Sequence, residues 1–241
     1  MTVKELIVIM GTACGERGLM AQYCRQLKDA GIDVYVHTLT GFENTLAAQI
    51  RDQRPIITKF LDYKKIVFTD AFDVLFFGTK SEVLEKIPTD TILSGAERIC
   101  WPDDPREKEY PGTTPWKYAN GGLSAGTPQN FLKWLDDIEH HPLYSVRAED
   151  YNQRIFNDFK FEKSSIMRFD ETTDLFYCMP GEKVELGFVN DRPMNRICKT
   201  FPNFLHVNNP PNWNQLNNPE FWQHVPFKPG WIGDWREMRW A

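Results

Sequence analysis

Two aspartates interrupt an apolar segment of the chain, IVFTDAFDVLFF, which runs from residue 66 to residue 77. Asp70 and Asp73 stand in the middle of it, and burying two unpaired carboxylates as charges costs several kcal/mol. Carboxylates in such places therefore normally pair with a cation or coordinate a metal. Oxygen donors with room for water and phosphate oxygens suit Mg²⁺ or Mn²⁺ that is completed by a substrate diphosphate. Capping the following turn is the alternative role for these aspartates.

Composition and length describe an ordinary globular protein with one large core. The chain has 241 residues, of which 41% are hydrophobic and 25% are charged, and its net charge is −5. An acidic balance without a basic run argues against nucleic acid as a partner. Five scattered cysteines without a C-x-x-C pair predict reduced thiols rather than disulfides or a cysteine zinc site.

No targeting or membrane-spanning segment is recognisable in the sequence. No apolar stretch reaches the roughly 18 residues that are needed to cross a bilayer. The short apolar run in MTVKELIVIMG ends in Gly-Thr, which favours a first strand over a secretory signal. We therefore expect no membrane partner and a cytoplasmic location.

The first half of the chain alternates strand-like and helix-like segments. Strands are predicted over 5–11, 33–39, 64–77 and 91–97, and helices over 15–31, 44–61 with a break before Pro55, 81–87, 128–141 and 148–159. This alternation predicts an α/β fold with a mostly parallel sheet flanked by helices. Such sheets bind ligands at the carboxyl ends of their strands. Polar residues end three of these strands, in Gly11-Thr12, Thr69-Asp70 and Ala96-Glu97, which predicts one shared crevice.

Five segments in one order make the functional prediction more specific: FTDAFDVLF, SGAERICWPD, YANGGLSAGT, EDYNQRIF and FLHVNNPPNWNQLN. Together they resemble the glycosyltransferase domain of procollagen lysyl hydroxylases and, more distantly, the procollagen galactosyltransferases. The resemblance runs from about residue 5 to about residue 222. It implies a GT-A fold, in which a Rossmann-like sheet holds a nucleotide sugar whose diphosphate carries a divalent metal.

The resemblance also implies how the chain is organised. One GT-A-like glycosyltransferase domain would occupy residues 1–241. Its nucleotide-binding half would cover about 1–100, and an acceptor-side half with a C-terminal tail would cover about 101–241.

A metal site of Asp70, Asp73 and His206 follows from the same resemblance. The aspartates match the acidic motif of the family, and LHVNNP matches its histidine segment. The implied cation is Mn²⁺, with Mg²⁺ as the alternative, and the implied donor is UDP-galactose or UDP-glucose. A cation on the diphosphate stabilises the negative charge of the leaving group, and mixed oxygen and nitrogen donors suit Mn²⁺.

Further residues are implied to lie around the nucleotide and the sugar. Phe72 stands where the family stacks a tyrosine on the uracil. The lysine that follows the histidine segment in the family has no counterpart here, so diphosphate neutralisation would rely on the metal or on Arg54. Glycines within a strand also mark a bulge or close packing, which is the alternative for the segment from 120 to 122. The full set is Thr12, Arg54, Asp70, Phe72, Trp101, Asn120, Gly121, Gly122 and Asn208.

An acceptor hydroxyl must lose its proton during transfer. A carboxylate that acts as the base contributes roughly 10²–10⁴-fold to the rate. If transfer inverts the anomeric centre, Asp150 is the first candidate base and Glu97 the second. The acidic run of the family is reduced here to Glu149-Asp150. If transfer retains the configuration, the leaving phosphate itself takes the proton.

Several functions stay open at this point. The acceptor is a protein hydroxyl, with a collagen-like protein as one candidate, a glycan, or a hydroxymethylated nucleobase. A rival enzyme class is the haloacid-dehalogenase-like phosphatases, but their aspartates have one residue between them, whereas Asp70 and Asp73 have two. A rival of another kind is a non-catalytic module that binds a UDP-sugar or a nucleotide through the same Asp70, Asp73 and His206.

Overall fold

The computed structural model describes residues 3–12, 19–38, 46–71, 73–100, 107–142, 152–162, 165–179 and 185–207. Its strands are β1 (Lys4–Thr12), β2 (Asp33–Thr38), β3 (Tyr63–Asp70), β4 (Val74–Phe76), β5 (Ile92–Glu97), β6 (Tyr118–Gly126), β7 (Met167–Phe169), β8 (Phe176–Cys178), β9 (Leu186–Val189), β10 (Arg192–Asn195) and β11 (Phe204–His206). Its helices are α1 (Met20–Asp29), α2 (Leu46–Lys59), α3 (Lys80–Lys86), α4 (Pro128–Glu139) and α5 (Asn152–Glu162). A short 3₁₀ turn covers Glu107–Glu109.

The central sheet has six strands in the order β2-β1-β3-β6-β5-β7. β1 pairs in parallel with β2 and β3, and β5 pairs in parallel with β7. Only β6 among these six strands runs the other way, between β3 and β5. The prediction of a mostly parallel sheet is therefore confirmed, and the carboxyl ends of β1, β3 and β5 meet at one edge. The register places Gly11 of β1 directly beside Asp70 of β3 at that edge.

Apolar layers cover both faces of this sheet. Ile7 and Ile9 of β1 pack with residues of α2, α4 and α5 on one face, whereas Val8 and Met10 pack with residues of α1 on the other. Burial on both faces explains why β1 is a continuous apolar run over residues 6–10 rather than an alternating one. Polar residues that end β1, β3 and β5, namely Thr12, Asp70 and Glu97, lie at the carboxyl edge of the sheet.

Two helices begin at residues that the sequence supplies for this purpose. Thr79 and Glu82 form a capping box at the start of α3. The side chain of Thr127 accepts from the backbone N–H of Asn130 at the start of α4, where Pro128 occupies the first turn. These caps satisfy N–H groups that would otherwise lack a partner at the helix start.

Helix α2 passes through Pro55 without ending, so the predicted break before this proline is wrong. A proline inside a helix removes one backbone hydrogen bond and crowds the preceding turn. The two residues after it, Ile56 and Ile57, are buried in the core. Their packing against the sheet offsets the local cost and keeps the helix continuous.

A second sheet of three strands, β4-β11-β8, follows the central one. β11 pairs antiparallel with β4 and parallel with β8, and all residues of the three strands are buried. A separate hairpin joins β9 to β10 through Asn190 and Asp191, which have positive φ angles of 50° and 60°. Positive φ at both central residues is what a type I′ two-residue hairpin turn requires. The single strand predicted over 64–77 is two strands in the structure, β3 and β4. The sequence pattern did not predict β8, β9, β10 and β11.

No helix among the described residues is long and apolar enough to cross a membrane. The four cysteines in the described part of the chain form no disulfide with one another, and their reduced state stays a prediction. The cytoplasmic location stays a prediction.

The second sheet depends on Phe204, which is fully buried in β11 and contacts the rings of Tyr23, Phe76 and Phe176. We expect Phe204→Ala to lower the free energy of unfolding by about 3–5 kcal/mol, because it leaves a cavity in the core. Urea denaturation measures this change. Phe201→Ala is the matched control, since Phe201 is exposed, and it should cost less than about 1 kcal/mol. Equal losses for the two variants would contradict the packing described here.

Candidate active site

Three elements bring two carboxylates and an imidazole to one point. Asp70 is the last residue of β3, and Asp73 directly precedes β4. β11 then returns beside β4 and pairs His206 with Val74. The backbone N–H of Val207 donates to the carbonyl oxygen of Asp73 at 2.8 Å. The second sheet therefore fixes a residue from the far end of the described chain against the acidic pair.

The side-chain atoms converge closely. His206 Nε2 lies 3.3 Å from Asp70 Oδ2 and 3.3 Å from Asp73 Oδ2. Asp73 Oδ1 and His206 Nε2 are buried and form no hydrogen bond within the described residues. One donor atom from each of the three residues lies within 4.8 Å of the others, which is close enough for all three to bind one metal ion. Carboxylate oxygens and an imidazole nitrogen fit a divalent cation such as Mn²⁺.

Exposure of the three side chains differs in a way that suits a shared cation. The side chain of His206 is 2% exposed, that of Asp73 20%, and that of Asp70 53%. The buried side of the site is therefore made by protein ligands, while the side near Asp70 is open. Mg²⁺ and Mn²⁺ keep positions for water or phosphate oxygens when few protein ligands are present.

The electrostatics of the site favour positive charge. Burial disfavours a charged imidazole, but the charge of Asp73 and the contacts with Asp70 and Asp73 outweigh it and raise the pKa of His206 well above its ordinary value. The acidic pair therefore holds either a proton on this ring or a cation in its place. Metal binding at such a site displaces the proton, because a ligating imidazole must be neutral.

An irregularity in the central sheet lies next to these residues. Between the pairs Ser94–Ser124 and Ala96–Ala119, β5 advances by two residues and β6 by five. The additional residues of β6 fall within the segment 120–123 and form a bulge. Bulges occur beside active sites, where they redirect side chains. The bulge that glycines in a strand suggested is thus present.

The glycines of this bulge also allow a close approach to the acidic site. A Cβ atom on Gly122 would overlap Asp70 Oδ2 and lie 2.6 Å from His206 Cε1. Only a residue without a side chain fits between the two groups. The bulge and the predicted site segment are therefore the same residues, and the contact of Asn120, Gly121 and Gly122 with a nucleotide sugar stays a prediction.

Polar contacts connect the bulge with the neighbouring strand and helix. Asn120 Oδ1 lies 3.0 Å from His206 Nδ1 and accepts from the backbone N–H of Gly122 at 3.1 Å. Asn120 Nδ2 donates to Glu97 Oε2 at 3.3 Å. Gln153 of α5 donates to the other oxygen of Glu97. Glu97 is buried at the end of β5. The side chain of Asn120 contacts both Glu97 and His206 and so links this candidate base to the imidazole.

A cleft of about 110 Å³ adjoins the site at the carboxyl edge of β1 and β3. Its polar and small lining residues include Gly11, His37, Gln53, Asp70, Gly121 and Gly122. A larger cavity of about 640 Å³ lies between α1, β4 and the β9–β10 turn and is lined by none of the predicted site residues. The smaller cleft is the one that the acidic residues border.

Comparison with known proteins places the chain in a family. The family described as "PLOD GT domain" matches residues 48–224, which is more than half of the chain. The chain belongs to the PLOD GT-domain family. The resemblance inferred from five sequence segments is thereby confirmed, and the family is one of glycosyltransferases.

Curated relatives in this family are much longer proteins. A "multifunctional procollagen lysine hydroxylase and glycosyltransferase" of Caenorhabditis elegans is 33% identical over 187 residues, covering 71% of this chain and 25% of that protein. A "procollagen-lysine,2-oxoglutarate 5-dioxygenase" of Drosophila melanogaster is 30% identical over 156 residues, covering 59% of this chain and 21% of that protein. The chain thus spans about a quarter of the length of these relatives.

A solved structure supports the fold of this PLOD GT domain. It is a glycosyltransferase involved in glycosylation of the major capsid of PBCV-1, with a TM-score of 0.50 and 12% sequence identity, covering 87% of this chain and 96% of that one. At that identity the likeness concerns the fold alone. The α/β architecture is of the GT-A glycosyltransferase type, as the resemblance implied.

Of the remaining predicted site residues of this PLOD GT domain, the structure describes some, and others lie outside the described residues. Thr12 ends β1 at the site edge. Arg54 lies on α2, where it bonds two carboxylates of α4 and is not among the residues that line the cleft, so its role at the diphosphate stays a prediction. Four predicted site residues lie outside the described residues: Phe72, Trp101, Asp150 and Asn208.

Two neighbours of the site were not singled out from the sequence. Gln153 lies in the segment EDYNQRIF, which is one of the five that carry the family resemblance, yet only its bond to Glu97 identifies it. Cys178 pairs with His206 in the second sheet, and burial raises the pKa of its thiol to about 11. No pattern in the sequence indicates that Cys178 lies there, because β8 is only three residues long.

We expect Gly122→Ala to weaken Mn²⁺ binding at least about tenfold, because the added methyl group displaces Asp70 or His206 from its orientation toward the ion. Isothermal titration calorimetry measures the affinity. Gly126→Ala in the same strand is the matched control, since its nearest contacts would lie at an ordinary 3.4 Å, and its affinity should stay near that of the unchanged protein. Unaltered Mn²⁺ affinity in Gly122→Ala would exclude the cation position between Asp70 and His206.

Proposed function

We propose that the chain is a metal-dependent glycosyltransferase domain that moves a hexose, galactose or glucose, from a UDP-sugar to an acceptor hydroxyl. The observation that carries the proposal is the convergence of Asp70, Asp73 and His206 at the carboxyl edge of the sheet. Membership of the PLOD GT-domain family supports the same reaction class. In this proposal the cleft beside Asp70 belongs to the nucleotide-binding half of a single domain, over about 1–100.

The cation would be held by Asp70, Asp73 and His206, and Mn²⁺ is the proposed ion, with Mg²⁺ as the alternative. When bound, it supplies Lewis-acid stabilisation of the diphosphate as that group leaves the sugar. Asp70 and Asp73 would each supply a carboxylate oxygen to the ion, and the buried imidazole would supply a nitrogen donor. Gly122 keeps the space between them free.

Residues around the nucleotide are proposed from the family pattern. Thr12 at the end of β1 would contact the nucleotide, and Phe72 would stack on the base. Trp101 would line the sugar and acceptor side of the crevice, and Asn208 would contact the nucleotide sugar. Arg54 would have to leave its two carboxylate partners on α4 to reach the diphosphate.

The base depends on the stereochemistry of transfer. Asp150 is the first candidate in an inverting reaction and Glu97 is the second. Glu97 accepts hydrogen bonds from Asn120 and Gln153, which orient its carboxylate beside the site. A retaining reaction needs neither, because the leaving phosphate takes the proton of the acceptor.

The acceptor is proposed to be a protein hydroxyl or a glycan. The name of the Caenorhabditis elegans relative joins procollagen lysine hydroxylation with glycosyl transfer, which makes a collagen-like protein the first acceptor to test. An acceptor side within about residues 101–241 is part of the same proposal. A hydroxymethylated nucleobase is a weaker alternative, because the net charge of −5 opposes binding to DNA.

A non-catalytic UDP-sugar-binding module is the rival function, because it would use the same cation ligands. It predicts Mn²⁺-dependent UDP binding without release of UDP from a UDP-sugar. The phosphatase alternative disagrees with membership of a glycosyltransferase family.

We expect UDP to be released from UDP-galactose or UDP-glucose with Mn²⁺ and not with EDTA, in a coupled assay for UDP with and without acceptor. Asp73→Asn should lower the rate at least about 100-fold, because the diphosphate loses several kcal/mol of charge stabilisation. Asp62→Asn, which changes a partly exposed carboxylate paired with Lys4, is the matched control and should keep the rate. Intact UDP binding without metal-dependent release would favour the module.

A further inference from the structure

We infer that Asn120 is a positioning residue that holds the proton of the His206 ring on Nδ1, so that Nε2 presents its lone pair to the cation. The inference rests on the proposed metal site and goes beyond it, since it assigns a tautomer and the residue that selects it. The tautomer of His206 depends on which way the side-chain amide of Asn120 points, because a carboxamide carries a donor on one side and an acceptor on the other.

Two neighbours fix the orientation of this amide. The backbone N–H of Gly122 lies 3.1 Å from one side-chain atom of Asn120 and can only donate, so that atom is the oxygen. The other side-chain atom lies 3.3 Å from a carboxylate oxygen of Glu97 and must be the nitrogen. A flipped amide would place two donors together on one side and two acceptors together on the other.

The contacts of Glu97 hold this arrangement in place. Gln153 Nε2 donates to the second oxygen of Glu97 and, at 2.7 Å, to the carbonyl oxygen of Ala119. Asn120 is 2% exposed and Glu97 9%, so water does not readily substitute for these bonds. A buried network in which each member has its partner is rigid, and a mispaired one is costly.

The tautomer of His206 follows from the oxygen of Asn120. His206 Nδ1 lies 3.0 Å from this oxygen, which accepts and cannot donate, so Nδ1 must carry a proton. A neutral imidazole has one proton, and with that proton on Nδ1 the lone pair is on Nε2. Nε2 is the atom that lies 3.3 Å from both Asp70 and Asp73. Asn120 thus orients the ring for the cation without touching the cation.

The bulge of β6 explains how the chain provides this contact. It places Asn120 between the end of β5 and the end of β11, where the side chain reaches Glu97 on one side and His206 on the other. Hydrogen bonds to the second nitrogen of a ligating histidine fix its tautomer, and their loss typically weakens metal binding 10–100-fold.

Two sets of variants test the inference. Asn120→Leu removes the acceptor at similar volume and should weaken Mn²⁺ binding about 10–100-fold, measured from the electron paramagnetic resonance signal of free Mn²⁺. The double variant Glu97→Gln/Asn120→Asp exchanges the amide and the carboxylate and leaves the total charge unchanged. The carboxylate at position 120 still accepts from His206 Nδ1, and the amide at position 97 donates to the other oxygen of that carboxylate. The Mn²⁺ affinity of the double variant should therefore equal or exceed that of the unchanged protein.

Nitrogen-15 NMR of the histidine rings supplies a readout that does not depend on activity. The chain has five histidines, and His206→Asn assigns the signals of this one. In the unchanged protein loaded with diamagnetic Zn²⁺, the proton should lie on Nδ1 and the metal on Nε2. A proton on Nε2 with the metal on Nδ1 would overturn the inference whether or not the leucine variant folds.

The outcomes separate this inference from the proposed function. Absence of Mn²⁺ binding to the folded, unchanged protein would overturn both. Mn²⁺ binding that is equally strong in the unchanged protein and in a folded Asn120→Leu variant would overturn only the role of Asn120. Loss of affinity in the double variant, despite its retained acceptor, would do the same.

Discussion

Repulsion between two neighbouring carboxylates is the constraint on which this site depends. Asp70 and Asp73 both point at His206 Nε2, and the buried oxygen of Asp73 forms no hydrogen bond within the described residues. A positive charge at its centre, either a proton on the imidazole or a divalent cation, stabilises an arrangement of this kind. The same requirement links the fold to the proposed chemistry, because a donor diphosphate brings negative charge that the cation also neutralises.

Three separate features of the fold meet this constraint. The parallel strands β1, β3 and β5 bring their carboxyl ends to one edge, which is where α/β sheets bind ligands. The short second sheet holds β11 against β4, so that a histidine more than 130 residues away along the chain lies beside the acidic pair. The bulge of β6 brings Gly122 and Asn120 next to the acidic pair and the histidine. Gly122 leaves space between Asp70 and His206, and Asn120 orients the imidazole ring of His206.

The fold class and part of the site could be predicted from the sequence, for physical reasons that differ between residues. Continuous apolar runs ending in Thr69-Asp70 and Ala96-Glu97 identify strands buried on both faces and their polar ends. His206 was predicted only through the family resemblance, because β11 has three residues and no periodicity of its own. The helix through Pro55 and the contact of Gln153 with Glu97 are set by tertiary packing, which local patterns do not contain.

Anomalous diffraction at the manganese edge, from crystals grown with Mn²⁺ and UDP, is the most direct measurement of the central claim. We predict one strong peak within about 2.0–2.3 Å of an oxygen of Asp70, an oxygen of Asp73 and Nε2 of His206, with the diphosphate completing the coordination. A peak remote from these residues, or UDP bound at a different edge of the sheet, would contradict the account.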